Sequence, residues 1–148
     1  GRGARDGTRW NQVKQVELLL GCALLVHRLV FEKVGLFDET FFMYHEEVDF
    51  LYRAAQKGFP IYYCPFASAL HHGAHSTRQR PHRRTFWIRR NTLLFFKKHR
   101  AGTWNWVRFW STLAASLFYN LLALRWERAQ IILMGVRAGL KQEKGANE

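Results

Sequence analysis

The sequence lacks the short motifs typical of nucleotide binding and of serine hydrolases. It contains no GxGxxG or GxxxxGK[ST] glycine-rich loop, no GxSxG and no Asp-x-Asp. A nucleotide site would therefore need residues that are not among these 148.

Cysteine is almost absent. Cys22 and Cys64 each lie in an apolar stretch, with neither CxxC spacing nor a disulfide-rich pattern. We predict two buried, reduced thiols in a cytosolic compartment. The cysteines and histidines show no spacing typical of a zinc site.

Acidic residues are scarce after the first third of the chain. Of 11 Asp and Glu, three follow Asp49, and residues 50 to 126 contain none against thirteen Lys and Arg. The net charge is +12. Such a surface predicts an anionic partner, whether nucleic acid, anionic lipid or a phosphorylated substrate, and composition does not choose among them.

No apolar run is long enough to cross a bilayer. Residues 109 to 124 carry no charge, but as a helix they would extend about 24 Å, short of the roughly 30 Å of a bilayer core. Tryptophans flank this run as interfacial anchors would, at Trp104, Trp106, Trp110 and Trp126. We predict a helix in the membrane interface and a second one over residues 129 to 140. The alternative is a helical hairpin packed on its own domain or on a partner subunit.

The remaining patterns predict an α/β chain with few strands and flanking helices. Strands are predicted at residues 16–27, 60–64 and 68–72, and the first of them is expected to be buried on both faces. Helices are predicted at residues 28–34, 46–57 and 85–99. A loop is predicted at residues 78–84. The organisation expected is a loose entry segment over residues 1–14, a main domain over 15–100, and amphipathic helices with a polar tail over 101–148.

Residues 37–49 place several carboxylates beside aromatic side chains just before the helix at 46–57. At 100° per residue, Glu47 points along the buried stripe formed by Phe50, Leu51, Ala54 and Ala55, and Asp49 lies on the solvated face. An ionised carboxylate on a buried face is costly unless it meets a cation or transfers a proton. Glu47 is therefore the leading candidate for chemistry. The alternative is that acids in a first helical turn only favour the helix dipole, with Asp49 and Arg53 as an ordinary i,i+4 pair.

Five ordered blocks carry a resemblance to a known family, namely residues 21–28, 34–49, 62–65, 71–73 and 90–91. Together, over about residues 15–100, they resemble the C-terminal half of a family 2 glycosyltransferase, closest to the rhamnosyltransferase-like enzymes of bacterial surface polysaccharide synthesis.

The resemblance implies a GT-A fold and an inverting, metal-assisted transfer from a nucleotide-diphosphate sugar to a saccharide or lipid-linked acceptor. Glu47 takes the place of the general base, where the family usually has Asp, and Glu46 and Asp49 match neighbouring acids. His71 matches a histidine that joins a divalent metal, Mg²⁺ or Mn²⁺, together with an Asp-x-Asp motif that this sequence lacks.

The expected substrate contacts are an apolar face for a sugar, a close approach at Gly21, and arginines for phosphate oxygens. The residues concerned are Gly21, Phe37, Asp38, Phe42, Tyr44, Arg78, Arg89 and Arg90. The resemblance further implies a peripheral enzyme at the cytoplasmic face of a bacterial membrane, with no nucleic-acid partner and with a homo-oligomer left open. Without the donor-binding half, residues 1 to 148 alone are expected to be inactive.

Two alternatives remain at this point. A basic nucleic-acid-binding module would use residues 78–100, with Phe86, Trp87 and Phe95 for stacking. A non-catalytic membrane or subunit contact piece would retain the acids without using them.

Overall fold

The computed structural model describes residues 10–69 and 81–141, and these form two compact units. The first unit consists of residues 10–42 and 46–69. The second consists of residues 43–45 and 81–141. The division differs from the predicted boundary near residue 100, because the helix that precedes that position groups with the helices that follow it.

The first unit contains a two-stranded sheet and two helices. Strand β1 (Lys14–Val16) pairs antiparallel with β2 (Ile61–Tyr63), with Gln15 opposite Tyr62. Helix α1 (Arg28–Val34) begins where the His27 ring accepts a hydrogen bond from the Leu29 amide. It ends at Gly35, whose φ of 87° favours glycine. Helix α2 (Glu46–Gln56) is followed by Gly58 at φ 80°, as predicted.

The core of the first unit is built around Phe50, which is 1% exposed. Its ring packs 4.7 Å from that of Phe37 and 5.2 Å from that of Phe31. Leu51 and Ile61 complete the buried cluster. The predicted stripe of α2 is confirmed at Phe50, Leu51 and Ala54 but is wrong at Ala55, which is exposed.

The predicted central strand over residues 16–27 is wrong. Residues 17–27 contain no regular element, and Leu18, Leu20 and Leu25 are exposed. A central strand needs a pairing partner on each side, and in the described part of the chain β2 is the only partner of β1. The prediction of buried thiols is also wrong, since Cys22 and Cys64 are both exposed.

The second unit is formed by three helices, α3 (Pro81–Lys98), α4 (Thr103–Leu122) and α5 (Trp126–Lys141). Each contributes to one core, with Leu93 from α3, Phe109 and Leu113 from α4, and Ile132 and Val136 from α5. The hairpin of α4 and α5 therefore packs on α3, which was one of the alternatives for these helices. Helix α3 begins at Pro81, so the loop predicted for residues 78–84 is wrong for its described part.

Two glycines let α5 approach α3 closely. A Cβ at Gly135 would lie 2.6 Å from the Phe86 carbonyl oxygen, and one at Gly139 would lie 2.8 Å from that of Arg90. Lys97 then donates to the Gly139 and Leu140 carbonyls near the end of α5. The sequence prediction of α5 as an interfacial helix did not include this contact.

Two findings bear on the remaining predictions. Of the strand predicted at residues 68–72, positions 68 and 69 are not in a strand and the others lie outside the described residues. No helix in the described part of the chain is long and apolar enough to pass through a bilayer.

Candidate active site

The first turn of α2 presents two adjacent carboxylates, Glu46 and Glu47, in the first unit. Both side chains are half-buried, and the Oε2 atom of each is shielded from solvent. Neither Oε2 atom has a hydrogen-bond partner among the described residues. A buried polar atom without a partner is costly to keep in a fold and often marks a binding or catalytic position.

Burial raises the pKa of the Glu46 carboxyl above its ordinary value of 4.5, because desolvation disfavours the charged form. A hydrogen bond from its own backbone amide opposes this shift, and the neighbouring Glu47 charge adds to it. The pair thus places one carboxyl group with a raised pKa beside a second carboxyl group.

Gly21 lies against the Glu47 side chain. A Cβ on residue 21 would be 3.2 Å from the Glu47 Cβ, which is tighter than ordinary van der Waals contact, and 3.4 Å from its Cγ. Gly21 was predicted to mark a bend or a place where a ligand approaches the backbone. The structure shows a turn at this position, and the group that approaches is the stem of Glu47.

Asp49 has a different environment from the two glutamates. It is fully buried, which corrects its predicted place on the solvated face, and its Oδ2 accepts a hydrogen bond from Arg53 Nε at 2.8 Å. Arg53 also donates to the Val34 and Leu36 carbonyls. Helical spacing predicted that Asp49 points outward, because it did not include the Arg53 guanidinium, which covers that side of α2. The contacts of Asp49 favour a structural role over its predicted catalytic one.

In the second unit, Asn91 holds the segment of residues 43–45. Its side chain is completely buried, and Nδ2 donates to the Met43 and Tyr44 carbonyls at 2.8 and 2.7 Å. Tyr44 and His45 adopt positive φ values of 65° and 75°, a conformation that costs non-glycine residues roughly 1–3 kcal/mol each. The segment ends one residue before Glu46 in the chain. Asn91 therefore holds residues 43–45 of its own unit in a strained backbone conformation.

Sequence reasoning gave Asn91 no role, although residues 90–91 formed one of the five blocks. Its importance depends on carbonyls 47 and 48 positions earlier in the chain. No local pattern indicates such a contact.

The predicted phosphate-binding arginines are placed differently from one another. Arg90 is half-buried, donates to Asn91 Oδ1 at 2.7 Å and lies 5.2 Å from the Trp87 ring centroid. These contacts favour a structural role for Arg90. Arg89 is also half-buried, and burial lowers the pKa of both guanidinium groups. Arg78 lies outside the described residues.

The predicted sugar-binding aromatics differ in their exposure. Phe37 packs on Phe50. Phe42 is exposed over most of its surface and Tyr44 is half-buried. Asp38 accepts a hydrogen bond from the Thr40 amide at 2.9 Å, which is typical of a turn.

The metal prediction falls largely outside the described residues, because His71 is not among them. The residues described contain no group of three or more His, Cys, Asp or Glu able to hold a metal ion. Glu46 and Glu47 do supply hard carboxylate oxygens, which Mg²⁺ and Mn²⁺ prefer.

Comparison with known proteins identifies relatives that transfer sugars. The chain is 39% identical over 104 residues to an N-acetylglucosaminyl-diphospho-decaprenol L-rhamnosyltransferase of Mycobacterium tuberculosis, which covers 70% of this chain and 34% of the relative. It is 36% identical over 61 residues to a low-salt glycan biosynthesis hexosyltransferase of Haloferax volcanii, covering 41% of the chain and 20% of that relative.

The chain thus spans about a third or less of the length of the curated relatives it matches. No family model and no solved structure matches it. The resemblance predicted from the five blocks is nevertheless confirmed, and the matched part of the chain is a rhamnosyltransferase-like glycosyltransferase region.

Proposed function

We propose that this chain carries the catalytic base of an inverting glycosyltransferase of glycan biosynthesis. The observation that carries the proposal is the pair Glu46 and Glu47, whose buried Oε2 atoms have no partner within the described residues. The similarity to a rhamnosyltransferase and a hexosyltransferase supports the reaction class. The mixed fold is compatible with the C-terminal part of a GT-A domain, which we include in the proposal.

In the proposed step, Glu47 accepts the proton of an acceptor hydroxyl as that oxygen attacks the anomeric carbon of the donor. The new bond joins the acceptor oxygen to this carbon, and the bond to the nucleoside diphosphate breaks with its electrons on the departing phosphate oxygen. Glu46 lies beside Glu47, and Gly21 leaves room for the Glu47 stem. An in-line attack requires the Glu47 carboxylate to lie close to the acceptor hydroxyl.

The donor we propose is a nucleotide-diphosphate sugar, and the acceptor is a saccharide or a lipid-linked saccharide. A divalent metal remains part of this proposal, with His71 as the residue of this chain that would contact it. When bound, such a metal would neutralise charge on the diphosphate.

We also propose that the chain lies peripherally at a membrane surface. Several large apolar side chains of α4, α5 and their connection are exposed, among them Trp104, Phe118, Leu122, Leu124 and Trp126. Such amphipathic helices in a cationic protein suit the interface of an anionic leaflet. If this is correct, adding anionic vesicles should shift tryptophan emission to the blue. Unchanged emission at low salt would contradict it.

A chimera tests the enzymatic proposal. The chain would replace the matching region of the Mycobacterium tuberculosis relative, and transfer to that relative's acceptor would be measured. We expect activity in the unsubstituted chimera and its loss in the double variant Glu46→Gln/Glu47→Gln. The control is Glu32→Gln, which removes an exposed carboxylate of α1. Full activity in the double variant, or a folded but inactive unsubstituted chimera, would count against the proposal.

A further inference from the structure

The second unit contains a groove of about 500 Å³ whose polar lining comes from all three helices. We call it the basic groove. Arg84 and Arg89 enter it from α3, Ser116 and Asn120 from α4, and Arg125 and Arg128 from the connection and first turn of α5. Four guanidinium groups thus surround one concave volume.

The positive charge of the basic groove is not balanced by the described residues. No carboxylate lines it, and Glu127 is the only acid in the sequence between residues 50 and 141. Like charges that share a cleft repel one another, and the low-dielectric walls strengthen their field. An anion in the groove would relieve this repulsion.

Arg89 is the most informative of the four guanidinium groups. Its side chain is half-buried, whereas Arg84, Arg125 and Arg128 are exposed. Arg90, its neighbour, donates to Asn91, but Arg89 has no hydrogen-bond or ion-pair partner within residues 10–69 and 81–141. A charged group is rarely kept partly buried in this way unless a counter-ion binds it.

On the side formed by the end of α4 and its connection to α5, the basic groove is bounded by a hydrogen-bonded turn. The Asn120 side chain, 7% exposed, donates to the Ser116 carbonyl at 2.7 Å, and the Arg125 amide donates to the Asn120 carbonyl at 2.8 Å. The Arg125 guanidinium lies 5.5 Å from the Tyr119 ring centroid. These contacts hold the backbone that carries Arg125 and place its guanidinium group near the Tyr119 ring.

We propose that the basic groove binds a phosphate or diphosphate group. Guanidinium groups bind phosphate oxygens bidentately, and Ser116 and Thr85 add hydroxyl groups to the lining. Exposed Leu122, Leu124 and Trp126 flank Arg125 in the chain, so the phosphate has two plausible sources, a free phosphate compound and a lipid headgroup. Arg89 was one of the predicted phosphate contacts, and the groove adds Arg84, Arg125 and Arg128 to it. The inference does not depend on a catalytic role for Glu46 or Glu47, which do not line the groove.

The test uses the 148-residue chain with inorganic pyrophosphate as the probe, measured by calorimetry at low salt. We expect Arg89→Gln and Arg125→Gln each to weaken binding by about tenfold, since each removes a charge-assisted hydrogen bond to a phosphate oxygen. The matched controls are Arg108→Gln and Arg137→Gln. Both remove the same charge from exposed positions outside the groove, and each should change binding less than about twofold.

A second arm separates the two sources of phosphate. Phosphatidylcholine vesicles with and without phosphatidylglycerol replace pyrophosphate, and the same four variants are compared. Groove-dependent binding of pyrophosphate supports a free phosphate compound, and groove-dependent binding of anionic vesicles alone supports a headgroup. Equal losses in groove and control variants, or no binding in either arm, would overturn the proposal. Thermal melts show which variants are folded. If Arg89→Gln unfolds the chain, Arg125→Gln, at an exposed position, tests the groove in its place.

Discussion

Three acids within four residues of α2 have three different environments. Asp49 is fully buried and ion-paired with Arg53, whereas Glu46 and Glu47 each keep one buried oxygen without a partner in the described structure. Only the last two are available for a substrate. At the residue scale, the candidate site is therefore the pair and not the whole acidic cluster.

The raised pKa of Glu46 predicts how stability depends on pH. The folded protein binds this proton more tightly than the unfolded chain, so the favourable contribution is complete below pH 4.5 and is lost as pH rises through the folded-state value. A glutamine at position 46 does not titrate, so the Glu46→Gln variant does not lose this contribution as pH rises. We expect the variant to be more stable than the parent at neutral pH and equally stable below pH 4.5, in urea unfolding followed by circular dichroism.

The control for this experiment is Glu39→Gln, which removes one carboxylate from an exposed position. If Glu39→Gln and Glu46→Gln change stability equally at neutral pH, the effect is one of net charge, and the account of Glu46 burial is wrong.

Two i,i+4 ion pairs of similar length allow a comparison at the scale of the helix. Asp49–Arg53 spans 2.8 Å with side chains 0% and 20% exposed, and Arg28–Glu32 spans 2.7 Å with side chains 90% and 49% exposed. We expect Asp49→Ala to lower the free energy of unfolding by about 3 kcal/mol, because it leaves the partly buried Arg53 guanidinium without its carboxylate counter-ion. Glu32→Ala should cost less than about 1 kcal/mol. Equal losses in urea melts would contradict the structural role of Asp49.

The packing of α5 on α3 predicts intolerance at its glycines. Gly139→Ala places a methyl group 2.8 Å from the Arg90 carbonyl oxygen and 3.0 Å from the Leu93 Cβ. Forcing these helices apart should cost roughly 1–3 kcal/mol, measured by tryptophan fluorescence during thermal unfolding. Gly102→Ala is the control, since its methyl group would meet nothing within 4 Å. A Gly139→Ala variant as stable as the control would refute the close packing.

The elements that the sequence predicted well are those with local signals at both ends. Helix α1 has His27 and Gly35, and α2 has its acids and Gly58. The strand at 16–27 failed because an apolar run shows that residues avoid water but not which strands pair with them. The half-buried position of Glu47 was predictable, because helical spacing places it along the buried stripe of α2. Asn91 was not, since its partners lie far away in the sequence.

At the scale of the whole molecule, residues 43–45 belong to the second unit while the sequence on either side belongs to the first. No local sequence pattern indicates that these three residues belong to a different unit from their neighbours in the chain. The excess of basic residues was visible, and it predicted an anionic partner without locating a site. The structure gathers four of these arginines around one groove.

The central claim is that Glu47 removes the acceptor proton, and kinetics of the chimera test it most directly. General-base catalysis contributes about 10²–10⁴-fold, so Glu47→Gln should lower kcat by roughly that factor and leave the KM for the acceptor nearly unchanged. Glu46→Gln should reduce kcat far less. An unchanged kcat in Glu47→Gln, or a larger loss in Glu46→Gln, would contradict the assignment of the base to Glu47.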